Sequence, residues 1–172
     1  MTDKQKAAQS SATRIPKIRA LVVDVDGTLT DGGMYYGAQG IELKKFDTRD
    51  AKGMQLLEST GVLICVMTGE DDAPTRARME KLSIQSYYPG VTDKLQVLEG
   101  LVKEWDIEMS EVAFVGDDVN DLASILAVGF SACPNDALPQ IIANADYVCN
   151  RVGGHGAVRE VCELLLKRSG AD

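Results

Sequence analysis

Short runs of apolar residues alternate along this chain with segments of helical periodicity, and this alternation strongly constrains the fold. The apolar runs are continuous, as expected for strands buried on both faces. The candidate strands are Ala20–Val25, Val62–Met67 and Val112–Val115, with weaker candidates at Ile84–Tyr88, Phe130–Cys133 and Tyr147–Cys149. The candidate helices between them are Ala51–Thr60, Thr75–Leu82, Lys94–Trp105, Asp121–Ala127 and Ala157–Leu166. The pattern predicts an α/β fold, with helices on both faces of a parallel sheet.

The segment Gly33–Phe46 breaks this rhythm. It has two short strand-like runs around Gly37–Gly40, which predicts a β-hairpin inserted after the first strand, over about residues 33–47. Lys44 and Lys45 make its second arm polar, so we expect the hairpin to project from the domain. We further expect residues 1–17 to form a flexible arm and residues 18–172 to form one domain.

Composition and charge exclude several classes of protein. A chain of 172 residues with 45% hydrophobic and 26% charged residues fits one globular domain. Its net charge of −8 disfavours non-specific binding to nucleic acid. No apolar run approaches the roughly 20 residues of a membrane span, and the polar N-terminus does not look like a secretory signal. The four cysteines form no CxxC pair, so we expect buried free thiols in a cytoplasmic protein with no membrane partner.

Acidic residues follow two of the candidate strands, at the sheet edge where α/β proteins bind ligands. The first strand runs into Asp24-Val25-Asp26-Gly27-Thr28, and the third into Gly116-Asp117-Asp118-Val119-Asn120-Asp121. Clustered carboxylates repel one another unless a cation is present, and a hard cation prefers oxygen ligands. The alternative interpretation is structural, with turn-forming aspartates at the first strand and a charged helix N-terminus at Asp121.

Two further groups could act on a phosphoryl group. Thr68-Gly69 follows the second strand, where a hydroxyl and a backbone N–H can cradle phosphate oxygens, although such pairs are often simple turns. Lys94 opens the helix that precedes the third strand, although most lysines are solvated surface groups.

The order DxDGT, Thr-Gly, Lys and GDDxxD resembles the haloacid dehalogenase superfamily of phosphotransferases, over about residues 18–167. The resemblance implies a Rossmann-like three-layer sandwich. It also implies that Asp24 is the nucleophile that forms an aspartyl-phosphate, and that Asp26 is the general acid and then the base. Thr68 would bind phosphoryl oxygens and Lys94 would offset negative charge.

The same resemblance implies a Mg²⁺ cofactor. Asp117, the Asp24 carboxylate and the Asp26 main-chain carbonyl would bind the ion, and Asp118 and Asp121 would support these ligands. Oxygen ligands suit Mg²⁺, and phosphoryl transfer needs charge stabilisation of this kind.

Three strings narrow the resemblance to capless 2-keto-3-deoxy sugar-acid phosphatases, with the hairpin in place of a cap. They are Asp24–Gly32, Arg49–Gly53 and Gly153–Glu160. Such enzymes hydrolyse 3-deoxy-D-manno-octulosonate (KDO) 8-phosphate or the nine-carbon KDN 9-phosphate. They are typically homotetramers in which hairpins pack together and a neighbouring subunit completes each site. Tyr35, Tyr36, Ile41 and Leu43 would then be buried between subunits; alternatively, they pack on their own domain.

The residues expected to bind the substrate are Thr68, Gly69, Glu70, Arg78, Lys81 and Lys94. Eight-carbon-specific relatives usually carry Arg at position 70, whereas Glu70 with Lys81 resembles the nine-carbon group, so we lean towards the nine-carbon acid. Arg78 would contact the substrate carboxylate. The alternative is that Glu70 starts and Lys81 ends a helix, with Arg78 as a surface charge. We expect His155 to be a loop residue.

Two other functions stay open. Related domains serve as tetramerisation modules without catalysis, and a capless phosphatase can also be promiscuous towards small phosphates. A scaffold need not keep Asp24, Asp26, Lys94 and Asp117 together, and all four are present. The sequence therefore favours an enzyme.

Overall fold

The computed structural model of the protein, which describes residues 15–169, contains a six-stranded parallel sheet. Its strands are β1 (Ala20–Val23), β4 (Leu63–Met67), β5 (Ser86–Tyr88), β6 (Val112–Val115), β7 (Phe130–Cys133) and β8 (Tyr147–Val148). The strand order is β5-β4-β1-β6-β7-β8, and every neighbouring pair is parallel. Strand β1 is central, so the residues that follow it lie between the ends of β4 and β6.

Helices cover both faces of this sheet, which confirms the predicted three-layer α/β fold. They are α1 (Thr48–Glu58), α2 (Ala73–Leu82), α3 (Lys94–Glu104), α4 (Leu122–Ala127), α5 (Pro139–Asn144) and α6 (Ala157–Ser169). Alternate β1 side chains enter two cores: Leu21 and Val23 pack with α1, α2 and α6, whereas Ala20 and Val22 pack with α3, α4 and α5. Helix α5, a six-residue segment that begins at Pro139, was not predicted.

Aspartate caps fix where three of the helices begin. The side chains of Asp47, Asp72 and Asp93 accept hydrogen bonds from backbone N–H groups in the first turns of α1, α2 and α3. Such caps satisfy donors that the helix itself leaves unpaired. Helix α1 therefore begins at Thr48, three residues before the start predicted from apolar spacing.

The inserted hairpin consists of β2 (Thr30–Gly37) and β3 (Gly40–Phe46) and begins three residues earlier than predicted. Tyr35 and Leu43 lie opposite each other, and Tyr35, Tyr36 and Leu43 are 66%, 69% and 63% exposed. These three side chains do not pack on their own domain. Lys45 is exposed on the polar second arm, as expected, but the Lys44 side chain is completely buried and does not contribute to the exposed face of β3.

The predicted N-terminal arm, residues 1–17, lies outside the described residues except for positions 15–17. Of these, Ile15 packs against the core formed by α1, α2 and α6, so the domain begins before residue 18. All four cysteines are free and buried, as predicted. Between residues 15 and 169, no helix combines the length and apolar character needed to cross a membrane.

Candidate active site

Asp24 follows β1 and begins the candidate site. Its backbone N–H donates to the Val115 carbonyl at 2.9 Å, which ties it to the end of β6. The chain then makes one broad turn, Val25–Leu29, in which Gly27 has a φ of +91°. A Cβ at this position would overlap the Asp117 carboxylate. The glycine therefore allows both the left-handed backbone and the close approach of Asp117.

Lys94 joins the carboxylates of the two acidic strings. Its buried ammonium contacts the Asp24 carboxylate and lies 2.6 Å from Asp121 Oδ1. The second Asp121 oxygen accepts hydrogen bonds from the backbone N–H groups of Asp117, at 3.0 Å, and Asp118, at 3.3 Å. Asp121 therefore fixes both the lysine and the loop that carries Asp117.

Three carboxylates come together next to this lysine. Oxygen atoms of Asp24, Asp117 and Asp121 lie within 4.8 Å of one another. Burial, followed by repulsion from Asp121, raises the pKa of Asp24, although Lys94 opposes the shift. Burial also raises the pKa of Asp117 to about 6, although a 2.9 Å hydrogen bond from the Thr28 hydroxyl opposes this shift. Excess buried negative charge on hard oxygen donors fits a divalent cation such as Mg²⁺.

Thr68 follows β4 on the other side of Asp24. Its buried hydroxyl lies 3.4 Å from Asp26 Oδ2, and its backbone N–H donates to the Tyr88 carbonyl at 3.1 Å. The same hydroxyl oxygen accepts from the Glu70 N–H at 3.1 Å. The structure therefore brings Asp24, Asp26, Thr68, Lys94, Asp117 and Asp121 to one edge of the sheet.

Sequence reasoning missed two residues of this site. Lys44 Nζ lies 2.7 Å from Asp26 Oδ1 and 2.7 Å from Asp72 Oδ2. Burial alone lowers the pKa of Lys44, but its hydrogen bonds with the two carboxylates outweigh this effect and raise it. A signal was present: Lys44 precedes Phe46 by two residues, so both side chains lie on the strand face that packs on the domain. For Asp72, the N-cap pattern before Ala73-Pro74 was the available signal.

The other expected residues lie around this centre with different contacts. Asp118 is exposed and caps the short turn Val119–Asp121, and Gly69 and Glu70 are exposed after β4. Lys81 is exposed in the last turn of α2, while the Arg78 guanidinium lies 5.8 Å from the centre of the Phe46 ring at the base of the hairpin. The substrate contacts expected of Glu70, Arg78 and Lys81 stay predictions.

A glycine-rich loop before α6 packs against the backbone of the turn that follows Asp24. The Gly154 N–H donates to the Thr28 carbonyl at 3.0 Å, and a Cβ at Gly153 would overlap the Gly27 carbonyl. His155 lies in this loop, as expected, with Nε2 3.1 Å from Lys45 Nζ. Nearby, the buried Asp50 carboxylate accepts from the Arg159 N–H at 2.7 Å, and burial raises the pKa of Asp50 to about 6.

The sheet topology and the acidic edge define a class of protein. A family model described as haloacid dehalogenase-like hydrolase matches residues 83–161. The 3-deoxy-D-manno-octulosonate 8-phosphate phosphatase KdsC of Salmonella typhi is 40% identical over 158 residues, which cover 92% of this chain and 84% of that protein. The chain belongs to this family of haloacid dehalogenase-like phosphatases.

Solved structures of phosphatases from this family are similar to this chain in fold and in sequence. The corresponding phosphatase from Moraxella catarrhalis, in complex with magnesium ion, phosphate ion and KDO, is 37% identical with a TM-score of 0.86, and the match covers 95% of this chain and 92% of that one. The cobalt-bound deoxy-D-mannose-octulosonate 8-phosphate phosphatase from Haemophilus influenzae is 32% identical with a TM-score of 0.88, covering 91% and 92%.

Proposed function

We propose that this protein is a Mg²⁺-dependent phosphatase that hydrolyses a 2-keto-3-deoxy sugar-acid phosphate through an aspartyl-phosphate. The observation that carries this proposal is the juxtaposition of Asp24 with Lys94, Asp117 and Asp121 at the carboxyl edge of the sheet. A carboxylate nucleophile divides the hydrolysis of a phosphate ester into two easier steps.

In the first step, an Asp24 oxygen attacks phosphorus while Asp26 gives a proton to the departing sugar oxygen. In the second step, Asp26 takes a proton from water, the water oxygen bonds to phosphorus, and the bond from Asp24 to phosphorus breaks. Lys94 stabilises charge that develops on Asp24 and the phosphoryl oxygens, and the Thr68 hydroxyl donates to those oxygens.

The carboxylates of Asp24 and Asp117 and the Asp26 main-chain carbonyl would hold Mg²⁺, while Asp121 keeps Lys94 and the Asp117 loop in place. When bound, Mg²⁺ neutralises phosphoryl charge and orients the ester for in-line attack. Support comes from the excess of buried carboxylate charge and from the related structures with magnesium and cobalt.

Two substrates are candidates. The named relatives support KDO 8-phosphate, which we place first. The second candidate is KDN 9-phosphate, because Glu70 stands where eight-carbon-specific relatives usually carry Arg and is combined with Lys81, which lies in the last turn of α2. A glutamate accepts hydrogen bonds from sugar hydroxyls but does not pair with a substrate carboxylate as arginine does.

We further propose that the protein is a homotetramer assembled through its hairpins. The exposed tyrosines and Leu43 form an apolar surface on a two-stranded element, and such an element is marginal without a packing partner. A second copy that covers this surface would also shield the active site from water, as a cap does in larger relatives.

The test is phosphate release from the two candidate substrates side by side, with Mg²⁺ and with EDTA. Mg²⁺-dependent release from either one supports the proposal, and the ratio of kcat/KM values assigns the sugar. Failure with both substrates would contradict the proposal. The alternative function, a tetramerisation module without catalysis, would then be favoured. Equal release from unrelated small phosphates would instead indicate a promiscuous enzyme.

A further inference from the structure

Asp26 carries the protons of the proposed reaction, so the groups that hold its carboxyl direct those protons. The Lys44 ammonium lies 2.7 Å from Oδ1 and 2.9 Å from Oδ2, whereas the Thr68 hydroxyl is 3.4 Å from Oδ2. The ammonium donates a hydrogen bond to Oδ2 and makes a close ion-pair contact with Oδ1, and these two contacts together restrain the carboxyl plane more firmly than one long hydrogen bond does.

Lys44 is itself held in place. Its side chain is buried, and its second partner, Asp72 Oδ2 at 2.7 Å, belongs to the cap of α2. Asp72 also accepts from the Thr75 N–H at 2.8 Å and from the Thr75 hydroxyl at 3.0 Å. Asp72 therefore gives Lys44 a second, fixed ion-pair partner besides Asp26.

Lys44 belongs to strand β3 of the hairpin, which has one face towards the domain and one face towards solvent. Neighbouring side chains on β3 alternate, so Leu43 faces away from the domain with 63% exposure while Lys44 faces inward with none. Across the hairpin, Lys44 lies opposite Met34, and Leu43 lies opposite Tyr35. Lys44 is therefore the residue on the inward face of β3 that contacts Asp26 in the candidate active site.

We infer that Lys44 is a positioning residue, anchored by Asp72, that orients the Asp26 carboxyl for proton transfer to the leaving oxygen and from water. This inference rests on the proposed function. It predicts a loss that depends on how much the leaving group needs a proton. A sugar alkoxide needs one as its bond to phosphorus breaks, whereas p-nitrophenolate leaves readily without one.

The test compares Lys44→Gln with the parent enzyme on the active sugar-acid phosphate and on p-nitrophenyl phosphate, with Mg²⁺. The parameter is kcat/KM, which covers only the steps up to loss of the leaving group. We expect a loss of about 100-fold with the sugar phosphate and of less than about threefold with p-nitrophenyl phosphate. The matched control is Lys45→Gln, which removes a charge from the same strand at an exposed site paired with Asp31; we expect no selective loss.

Equal losses on both substrates, or no loss on either, would overturn the inference, because a purely structural role does not distinguish leaving groups. If Lys44→Gln does not fold, Asp72→Asn carries the test, since its amide oxygen can still cap α2. It should shift the ratio of the two kcat/KM values in the same direction by a smaller factor, and an unchanged ratio would contradict the role of Asp72 as anchor. A parent enzyme that hydrolyses neither substrate would refute the proposed function instead.

Discussion

Lys94 pairs its single positive charge with two buried carboxylates, and a third lies within reach of both. Buried carboxylates in excess of their cations destabilise a fold unless they bind a proton or a metal. The raised pKa values of Asp24 and Asp117 express this imbalance. At the scale of single residues, the site that suits catalysis is therefore costly to the free protein.

Asp24→Asn separates the two effects. We expect phosphate release to fall by about 1,000-fold or more, because the amide is not a nucleophile. Because the raised pKa of Asp24 means that folding disfavours its charged form relative to the unfolded chain, replacing it with a neutral amide should not lower the thermal midpoint in EDTA. Calorimetry in EDTA measures the thermal midpoint, and a phosphate assay measures the activity. A variant that keeps parental activity would exclude Asp24 as the nucleophile.

Asp50, which is not part of the proposed catalytic site, gives a prediction about how the free energy of unfolding depends on pH. Its folded pKa of about 6 lies above the ordinary aspartate pKa of 3.8, so the folded state binds more protons and the free energy of unfolding falls as pH rises between these values. Asp50→Asn removes this slope and keeps an oxygen for the Arg159 N–H. We expect it to gain on the order of 2 kcal/mol relative to the parent between pH 4 and pH 7. Denaturant titrations at both pH values measure the difference; parallel pH profiles would contradict it.

At the scale of elements, the sequence predicted those parts of the fold whose pattern is local. Strands β6 and β7 match their predicted bounds, because continuous apolar runs mark buried strands. The start of α1 depends on the Asp47 cap rather than on periodicity. The position of Lys44 depends on a non-local contact between the hairpin and α2, so β3 showed only two lysines that could equally well be solvated.

The hairpin gives an element-scale prediction. Leu43→Asp places a charge on the surface that we propose to be buried between subunits, so sedimentation should show smaller species than the parent does. Leu126→Asp is the control, because Leu126 is also 63% exposed but lies on α4 in the main domain. A parent that sediments as a monomer, or an assembly that Leu43→Asp leaves intact, would contradict assembly through the hairpins.

For the whole molecule, metal and proton compete for one site in a chain whose net charge is −8. Mg²⁺ that binds only the folded state stabilises it, by about 2.7 kcal/mol at a concentration of 100 Kd. Below the Asp117 pKa of about 6, the ion must displace a proton. The rise in thermal midpoint produced by Mg²⁺ should therefore be larger at pH 7.5 than at pH 5. Asp117→Asn should lose most of this rise, and an equal rise at both pH values would contradict the assignment of the carboxylates as ligands.

The glycine-rich loop has a consequence for synthesis of the protein. The turn after Asp24 is supported by Gly153 and Gly154, which lie more than 120 residues further along the sequence. Domains fold as units, and translation supplies residues one after another. A nascent chain that carries Asp24, Asp26 and Lys94 outside the ribosome therefore still lacks the backbone partner of Thr28. The turn after Asp24 becomes complete only after Gly154 has emerged, so ribosome-bound intermediates that still lack this loop should be inactive.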